Sequence, residues 1–255
     1  MDRPVVVLIG SAPWHKAAQL QLEGLGYRVH CYREAAGYVA RLTDDHAALI
    51  LVDGSAGGWQ YWVTTPKVSP ATRRIPVVLV AADPALRGAG EIAGADLMVE
   101  PGALIERLPD IVARAARVLS EEVSRQLRAA CRRPLPPRAR EAVALFNAGE
   151  YYRQHDLFEA LWREEEGPVR DLYRAILQVG VAYYQLKRGN VRGARKILLR
   201  SFQWLNMLPD VCQGVDVARL RGDAHRLREA LETLPDDSPD SGLDPALFGS
   251  VHLVE

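Results

Sequence analysis

The first hundred residues carry five short apolar runs, each bounded by turn-forming residues. Val5-Val6-Val7-Leu8-Ile9 is apolar at every position and stops at Gly10. Ala47 to Val52 is a second run, closed by Asp53-Gly54, and Val77 to Ala82 a third, introduced by Ile75-Pro76. Tyr27 to Tyr32 is weaker, and Leu97-Met98-Val99 is short and closed by Glu100-Pro101. Runs with no polar alternation predict strands buried on both faces, as in a parallel sheet. Helical spacing lies between them, as in Ala17, Leu20, Leu22 and Leu25, or Tyr38, Val39 and Leu42. The pattern predicts a doubly wound α/β domain with a five-stranded parallel sheet. Sites in such sheets lie at the carboxyl ends of the strands, which singles out Gly10-Ser11, Asp53, Ala81-Ala82 and Glu100-Pro101.

Further on, the period changes. Leu104, Ile105, Leu108, Ile111, Val112, Ala115, Ala116 and Leu119 recur at three and four, an amphipathic helix whose pattern weakens through Val123 and Leu127. Arg132-Arg133-Pro134-Leu135-Pro136-Pro137 then stops any helix. The division predicted is an α/β domain over 1–119, a helical extension and Pro-rich linker over 120–137, an all-α bundle over 138–235 and a mobile tail over 236–255. Arg125, Arg128, Arg132 and Arg133 make the joint basic, which reads as a solvated linker. In the bundle, helices are predicted over Leu135–Asn147, Tyr151–Glu165, Asp171–Arg188, Val191–Leu208 and Asp216–Leu234. Ala175 to Tyr184 is apolar nearly all round, which marks a central, buried helix. The apolar end of the tail, Leu247-Phe248 and Val251 to Val254, is expected to dock on a neighbour.

Composition narrows the classes. The 255 residues are 48% hydrophobic and 25% charged, ordinary for a folded protein. Lys+Arg and Asp+Glu are both 32, so net charge is zero, which argues against a globally basic nucleic-acid binder. Three cysteines, Cys31, Cys131 and Cys212, stand far apart without a C-x-x-C, so neither a disulfide framework nor a cysteine zinc site is expected. With no signal-like start and no apolar stretch of membrane-spanning length, the expectation is a cytoplasmic protein with no membrane contact.

Chemistry-bearing residues concentrate in Gly149 to Arg163. His155 and Glu159 are four apart on one helix face, with Trp162 and Arg163 continuing it. Gln178 interrupts the apolar central helix and needs partners, which the His155 face is expected to supply. Two readings stay open for His155, Asp156, Glu159, Trp162, Arg163 and Gln178. One is a metal or small-ligand site in which His155 and Glu159 are ligands. The other is a polar network that sets helix register. A full metal site needs more ligands than this pair, and no second helix repeats it. From Leu172 to Pro209 there is no acidic residue, and Arg192, Arg195, Lys196 and Arg200 can share one helix side. That side reads either as an anion- or RNA-contacting face or as a solvated face pairing with Glu164-Glu165-Glu166.

The first half resembles the CheY-like receiver domain of bacterial response regulators over about residues 4–118. The resemblance rests on Ala48 to Asp53, Ile75 to Ala82, Gly94-Ala95-Asp96 and Val99-Glu100-Pro101. It implies a phosphoacceptor aspartate at Asp53. It also implies two acidic Mg²⁺ ligands where Gly10-Ser11 stands, a Ser or Thr where Ala81 stands, and a lysine where Glu100 stands. A carboxylate attacking a phosphoryl group needs cations to offset the charge. The expectation is therefore a degenerate receiver without Mg²⁺, in which Asp53 only caps its strand. The second half resembles the helical family DUF309, a domain of unknown function, over about Ala144 to Leu220. Here the carriers are Phe146-Asn147-x-Gly149-Glu150-Tyr151, His155-Asp156-x-x-Glu159-x-x-Trp162-Arg163, Ile176-Leu177-Gln178, Arg188-Gly189-Asn190-x-x-Gly193-Ala194 and Gly214 to Val217. Asp156 departs from the family's usual glutamate.

The combined expectation is a non-catalytic signalling adaptor, acting through protein partners and a homodimer, with no cofactor. A metal-dependent enzyme centred on His155 and Glu159 is the alternative. Anion or RNA binding through the basic face is the second.

Overall fold

A computed structural model describes residues 3–235 and 243–254. The chain forms two units, Met1–Val118 and Leu119–Glu255. The first contains β1 (Val5–Ile9), α1 (His15–Gly24), β2 (Arg28–Tyr32), α2 (Tyr38–Asp44) and β3 (Ala47–Asp53). It continues with α3 (Trp59–Val68), β4 (Val77–Val80), α4 (Leu86–Ala93), β5 (Leu97–Val99) and α5 (Pro101–Ala115). All neighbouring strands are parallel, in the order β2-β1-β3-β4-β5. This is the doubly wound, flavodoxin-like order.

The period of two explains both faces. Val5, Val7, Ile9, Ile50, Val52, Val77 and Leu79 bury against Tyr38 and Leu42 of α2 and Trp59 and Val63 of α3. Val6, Leu8, Leu49, Leu51, Val78 and Val80 bury against Ala18 and Leu22 of α1 and Leu104, Leu108, Ile111 and Val112 of α5. Each buried Val, Leu or Ile among them contributes about 1.5–3 kcal/mol of burial. Asp96, one of the receiver landmarks, has a structural task. Its Oδ2 accepts from the Val77 N–H at 2.7 Å and pairs with Lys67, while its own N–H donates to the Val77 carbonyl.

Several helix expectations are revised. In α1 the core-facing residues are Ala18 and Leu22, and Leu20 and Leu25 are exposed. The long helix expected to run from Leu104 past Leu127 is two helices. α5 ends at Ala115, and the Arg117 N–H turns to the Ala48 carbonyl at 2.8 Å. Ser120 then caps a new helix by accepting from the Val123 N–H.

The second unit comprises α6 (Glu121–Cys131), α7 (Pro137–Asn147), α8 (Tyr151–Glu164), α9 (Arg170–Lys187) and α10 (Val191–Leu205). A two-stranded antiparallel ribbon follows, β6 (Val211–Cys212) and β7 (Val215–Asp216), then α11 (Val217–Glu232) and a 3₁₀ turn at Pro245–Leu247. α9 is central, with Leu172, Ala175, Ile176, Val179, Gly180, Ala182 and Tyr183 buried along it. Phe146, Phe158, Phe202 and Leu220 pack in the same core.

Two expectations fail in this unit and one holds in part. Over 120–137 the expected helix is present and Arg125, Arg128, Arg132 and Arg133 are exposed, as a solvated joint implies, but Leu127, Cys131 and Leu135 are part of the core. Cys131 and Cys212 form a disulfide, which the absence of a short cysteine motif had argued against. They are 81 residues apart, and only the packing of the α6 end beside β6, where the Gln213 N–H donates to the Cys131 carbonyl, unites them. Part of the expected mobile tail, residues 236–242 and 255, lies outside the described residues. The rest, 243–254, is seated on the unit's own helices rather than on a neighbour, with Val251 buried. Among the described residues no helix is long and apolar enough to cross a membrane.

The disulfide generates the first prediction. In non-reducing denaturant only Cys31 reacts with a thiol reagent, and all three cysteines react after reduction. Replacing Cys131 by serine lowers unfolding stability by about 2–4 kcal/mol in a urea titration, since the bond closes a long loop. Three reactive thiols in unreduced protein would contradict the pairing.

Candidate functional site

Register places the receiver-like positions together at the carboxyl end of the sheet. Ile9 is paired with Val52 and Asp53 with Val80, so Gly10, Asp53 and Ala81 follow one another across three strands. Asp53 is 5% exposed. Its Oδ1 accepts two hydrogen bonds from Ser55, from the backbone N–H at 2.9 Å and the hydroxyl at 2.6 Å. The carboxylate is thereby held as the cap of the turn that leaves β3, a self-contained arrangement common to Asp in turns. Sequence reading missed Ser55, although an Asp followed two residues later by Ser is the usual signal.

Gly10 stands where the receiver resemblance implies an acid. It lies at φ +100°, and a Cβ there would stand 2.9 Å from the Asp53 Cβ and 3.2 Å from its Oδ2. The two Mg²⁺-ligand positions therefore hold a residue that Asp53 itself keeps small and an exposed serine, Ser11. Ala81 is buried and its Cβ would be 2.8 Å from one built on Gly54. Glu100 is exposed and stands just before α5 in an extended conformation, without a side-chain capping bond. Beside these residues opens a cleft of about 290 Å³ lined by Ala81, Asp83, Met98, Glu100 and Arg107 among others. It carries both charge signs.

His15, at the start of α1, belongs to this end and was not foreseen, although a strand-to-helix loop after β1 is where such folds place chemistry. Its ring lies 4.3 Å from that of Trp14, and its Nε2 is buried without a hydrogen-bond partner. Burial lowers its pKa below the usual 6.5; the Asp53 carboxylate and the Ile9 backbone pull it up, and Arg33 adds to the lowering.

In the helical unit the polar residues of α8 pair locally. The His155 Nδ1 is 3.2 Å from the Asp156 Oδ1, and Arg163 donates to Glu159 at 2.9 Å, a helical i,i+4 pair. Among the described residues no three His, Cys, Asp or Glu side chains gather into a metal-sized group. Gln178 is 7% exposed, and its Oε1 has no partner, so the expected closure with the His155 face is absent. A second buried amide, on α8 itself, was missed. Gln154 donates to the Tyr151 carbonyl at 3.0 Å and fills the space a Cβ at Gly180 would take. Trp162 serves a different cluster. The Arg174 guanidinium lies between the rings of Trp162, at 4.6 Å, and Trp204, at 4.0 Å. Such stacking contributes about 0.5–2 kcal/mol per contact.

The four-residue basic face is not uniform. Arg192 and Lys196 are exposed and Arg200 half-buried. Arg195 instead donates to the carbonyls of Leu231 at 2.6 Å and Leu234 at 2.7 Å, at the end of α11. A guanidinium there satisfies carbonyls that a helix end leaves open. Of the glutamates expected to pair with this face, Glu164 is bound by Arg138 at 2.8 Å and Glu165 by the Gly167 N–H.

The lowered His15 pKa has a signed consequence. The unfolded chain binds the His15 proton more readily than the folded one, so this group's contribution favours folding above pH 6.5 and is lost as pH falls below it. Urea titrations across that range are expected to show stability falling with pH, and His15→Leu to flatten the fall. An equal slope in wild type and variant would contradict the assignment.

Comparison with known proteins gives three findings. A protein designated a response regulator from Chloroflexus aurantiacus J-10-fl, known from its crystal structure, superimposes with a TM-score of 0.36 at 23% identity, covering 44% of this chain and all of that one. The fold assignment rests on the sheet order above and not on that neighbour. An uncharacterized protein of Aquifex aeolicus (strain VF5) is 25% identical over 85 residues, 32% of this chain; the match spans a quarter of that relative's length. Residues 139–197, from α7 into α10, match the family model of a domain of unknown function, so the helical unit carries a DUF309 domain.

Proposed function

We propose that the chain is a signalling adaptor in which a receiver-like unit that is not switched by aspartyl phosphorylation is joined to a DUF309 unit that binds protein. One observation carries the reading. The only carboxylate at the phosphoacceptor position, Asp53, is capped by Ser55 and roofed by Gly10, where the chemistry would need paired acids for Mg²⁺. A buried carboxylate already accepting two bonds, with Glu100 in place of the lysine that would offset the incoming phosphoryl charge, is a poor nucleophile. The substitutions at Ala81 and Glu100 remove the remaining hydroxyl and reverse the remaining charge.

Incubation with acetyl phosphate and Mg²⁺ is expected to leave the intact mass unchanged, with Asp53→Asn as control. A phosphoryl adduct present in the wild type and absent from the variant would overturn the reading.

The same proposal gives the DUF309 unit no resident metal, since His155, Asp156 and Glu159 are engaged pairwise with each other and Arg163. Plasma mass spectrometry on tag-free protein is expected to find substoichiometric metal, the same with and without His155→Ala. Near-stoichiometric metal that the variant loses would bring the metalloenzyme alternative forward.

A further inference from the structure

The seat of the C-terminal segment does not resemble a chain end lying on a surface. Asn147, the polar residue of the Phe146-Asn147 motif, uses both polar atoms of its amide on one residue. Its Nδ2 donates to the Val251 carbonyl at 2.9 Å and its Oδ1 accepts from the Val251 N–H at 2.8 Å. The segment then adds to the β6–β7 ribbon. Asp216 donates its N–H to the His252 carbonyl at 2.9 Å, and Val254 donates to the Gly214 carbonyl at 2.7 Å, with a bridge between Val215 and Leu253. Upstream, the Gly249 N–H donates to the Tyr183 hydroxyl at 3.0 Å, and the Phe248 ring meets the Tyr183 ring edge-on at 5.1 Å.

These contacts have the form of peptide recognition by strand addition, where main-chain bonds supply affinity and a few pockets supply selectivity. Five hydrogen bonds go to the segment's main chain. Of its side chains Val251 is buried and Leu243, Leu247 and Phe248 pack on the core, whereas Leu253 and Val254 are 44% and 40% exposed. One position is sharply selective. A Cβ on Gly249 would stand 2.3 Å from the Oδ2 of Asp223 and 2.7 Å from its Cβ. Asp223 is buried and paired with Arg226, so it has little freedom to withdraw.

We infer that Asn147, Tyr183, Asp223 and the β6–β7 ribbon form a peptide-binding groove whose resident occupant is the chain's own C-terminal segment. The partner it fits is an extended peptide of the same pattern: an aromatic residue, glycine, any residue, then a β-branched anchor. The resident segment holds the groove closed by its tether, because a linked ligand competes at high effective concentration. The groove lies wholly within the helical unit and does not depend on the chemistry at Asp53.

The test uses the full chain with a specific protease site placed within 236–242, nicked after purification. The probe is a fluorescent synthetic peptide of residues 243–255. The nicked protein is expected to release its resident segment and take up the probe saturably, with helical circular dichroism retained. The unnicked chain is expected to bind the probe at least ~100-fold more weakly. A Gly249→Val probe, which cannot alter the protein's own folding, is expected to bind at least ~10-fold more weakly than the parent, as is a Val251→Asp probe. Retention of the segment without exchange, loss of helical signal on its release, equal binding by intact and nicked chains, or full affinity of the Gly249→Val probe would each overturn the inference.

Discussion

The helical unit is organised by the fact that α9 has almost no face fit for water. Its buried residues occur at 172, 173, 175, 176, 178, 179, 180, 182, 183 and 186, more than one stripe can hold. Such a helix must be surrounded, and its neighbours are fixed by what its surface offers. Gly180 offers no side chain, so Gln154 of α8 enters there, and Phe146 of α7 comes close to the same point. Tyr183 offers a broad ring, which Phe146 and Tyr151 meet on one part and Phe248 on another. Burial of Tyr183 also raises its pKa, while the Gly249 N–H that its hydroxyl accepts acts in the opposite direction. The helix order of the unit follows from satisfying one central element from every side.

In the receiver-like unit the governing relation is between Gly10 and Asp53. Any larger residue at 10 would displace the Asp53 side chain from the seat where Ser55 binds it. Gly54 and Ala81 show the same economy of volume one strand over. The four positions form one tightly filled layer, so the departures from the receiver pattern are coupled in space. Restoring an acid at 10 without moving Asp53 would place two carboxylates in contact and add strain at a positive φ.

What could be read in advance depended on range. Apolar runs gave the strands within a residue or so, and helical period together with Gly189-Asn190 gave α7 to α11 closely, because burial on two faces and capping are local in origin. α3 and α4 escaped notice because Trp59 to Val68 has Pro66 inside it and Leu86 to Ala93 contains two glycines. At the candidate sites, Asp53 and Gly10 were visible because strand ends announce themselves. His15 and Ser55 lay within a few residues of them yet were passed over. Gln178 illustrates the opposite error. Its place in an apolar helix correctly marked it as buried, but nothing in the sequence says that its Oε1 finds no partner.

The features that no local pattern could reveal converge on one small element. The β6–β7 ribbon has two residues in each strand, far too little to persist alone. It is held by Cys131 through a bond across 81 residues and by residues 252–254 along its free edge. Tyr173 also reaches it, donating to the Gln213 Oε1 at 2.9 Å, where Gln213 takes a left-handed conformation. Asn147 closes a separate loop of 104 residues to the same terminal segment. Long closures add only slowly to the entropic cost of folding, so such ties are inexpensive once the helices are in place. The ribbon is consequently an element whose order is borrowed from α6, α9 and the C-terminal segment, and its free edge is where an exchange of peptides would act first.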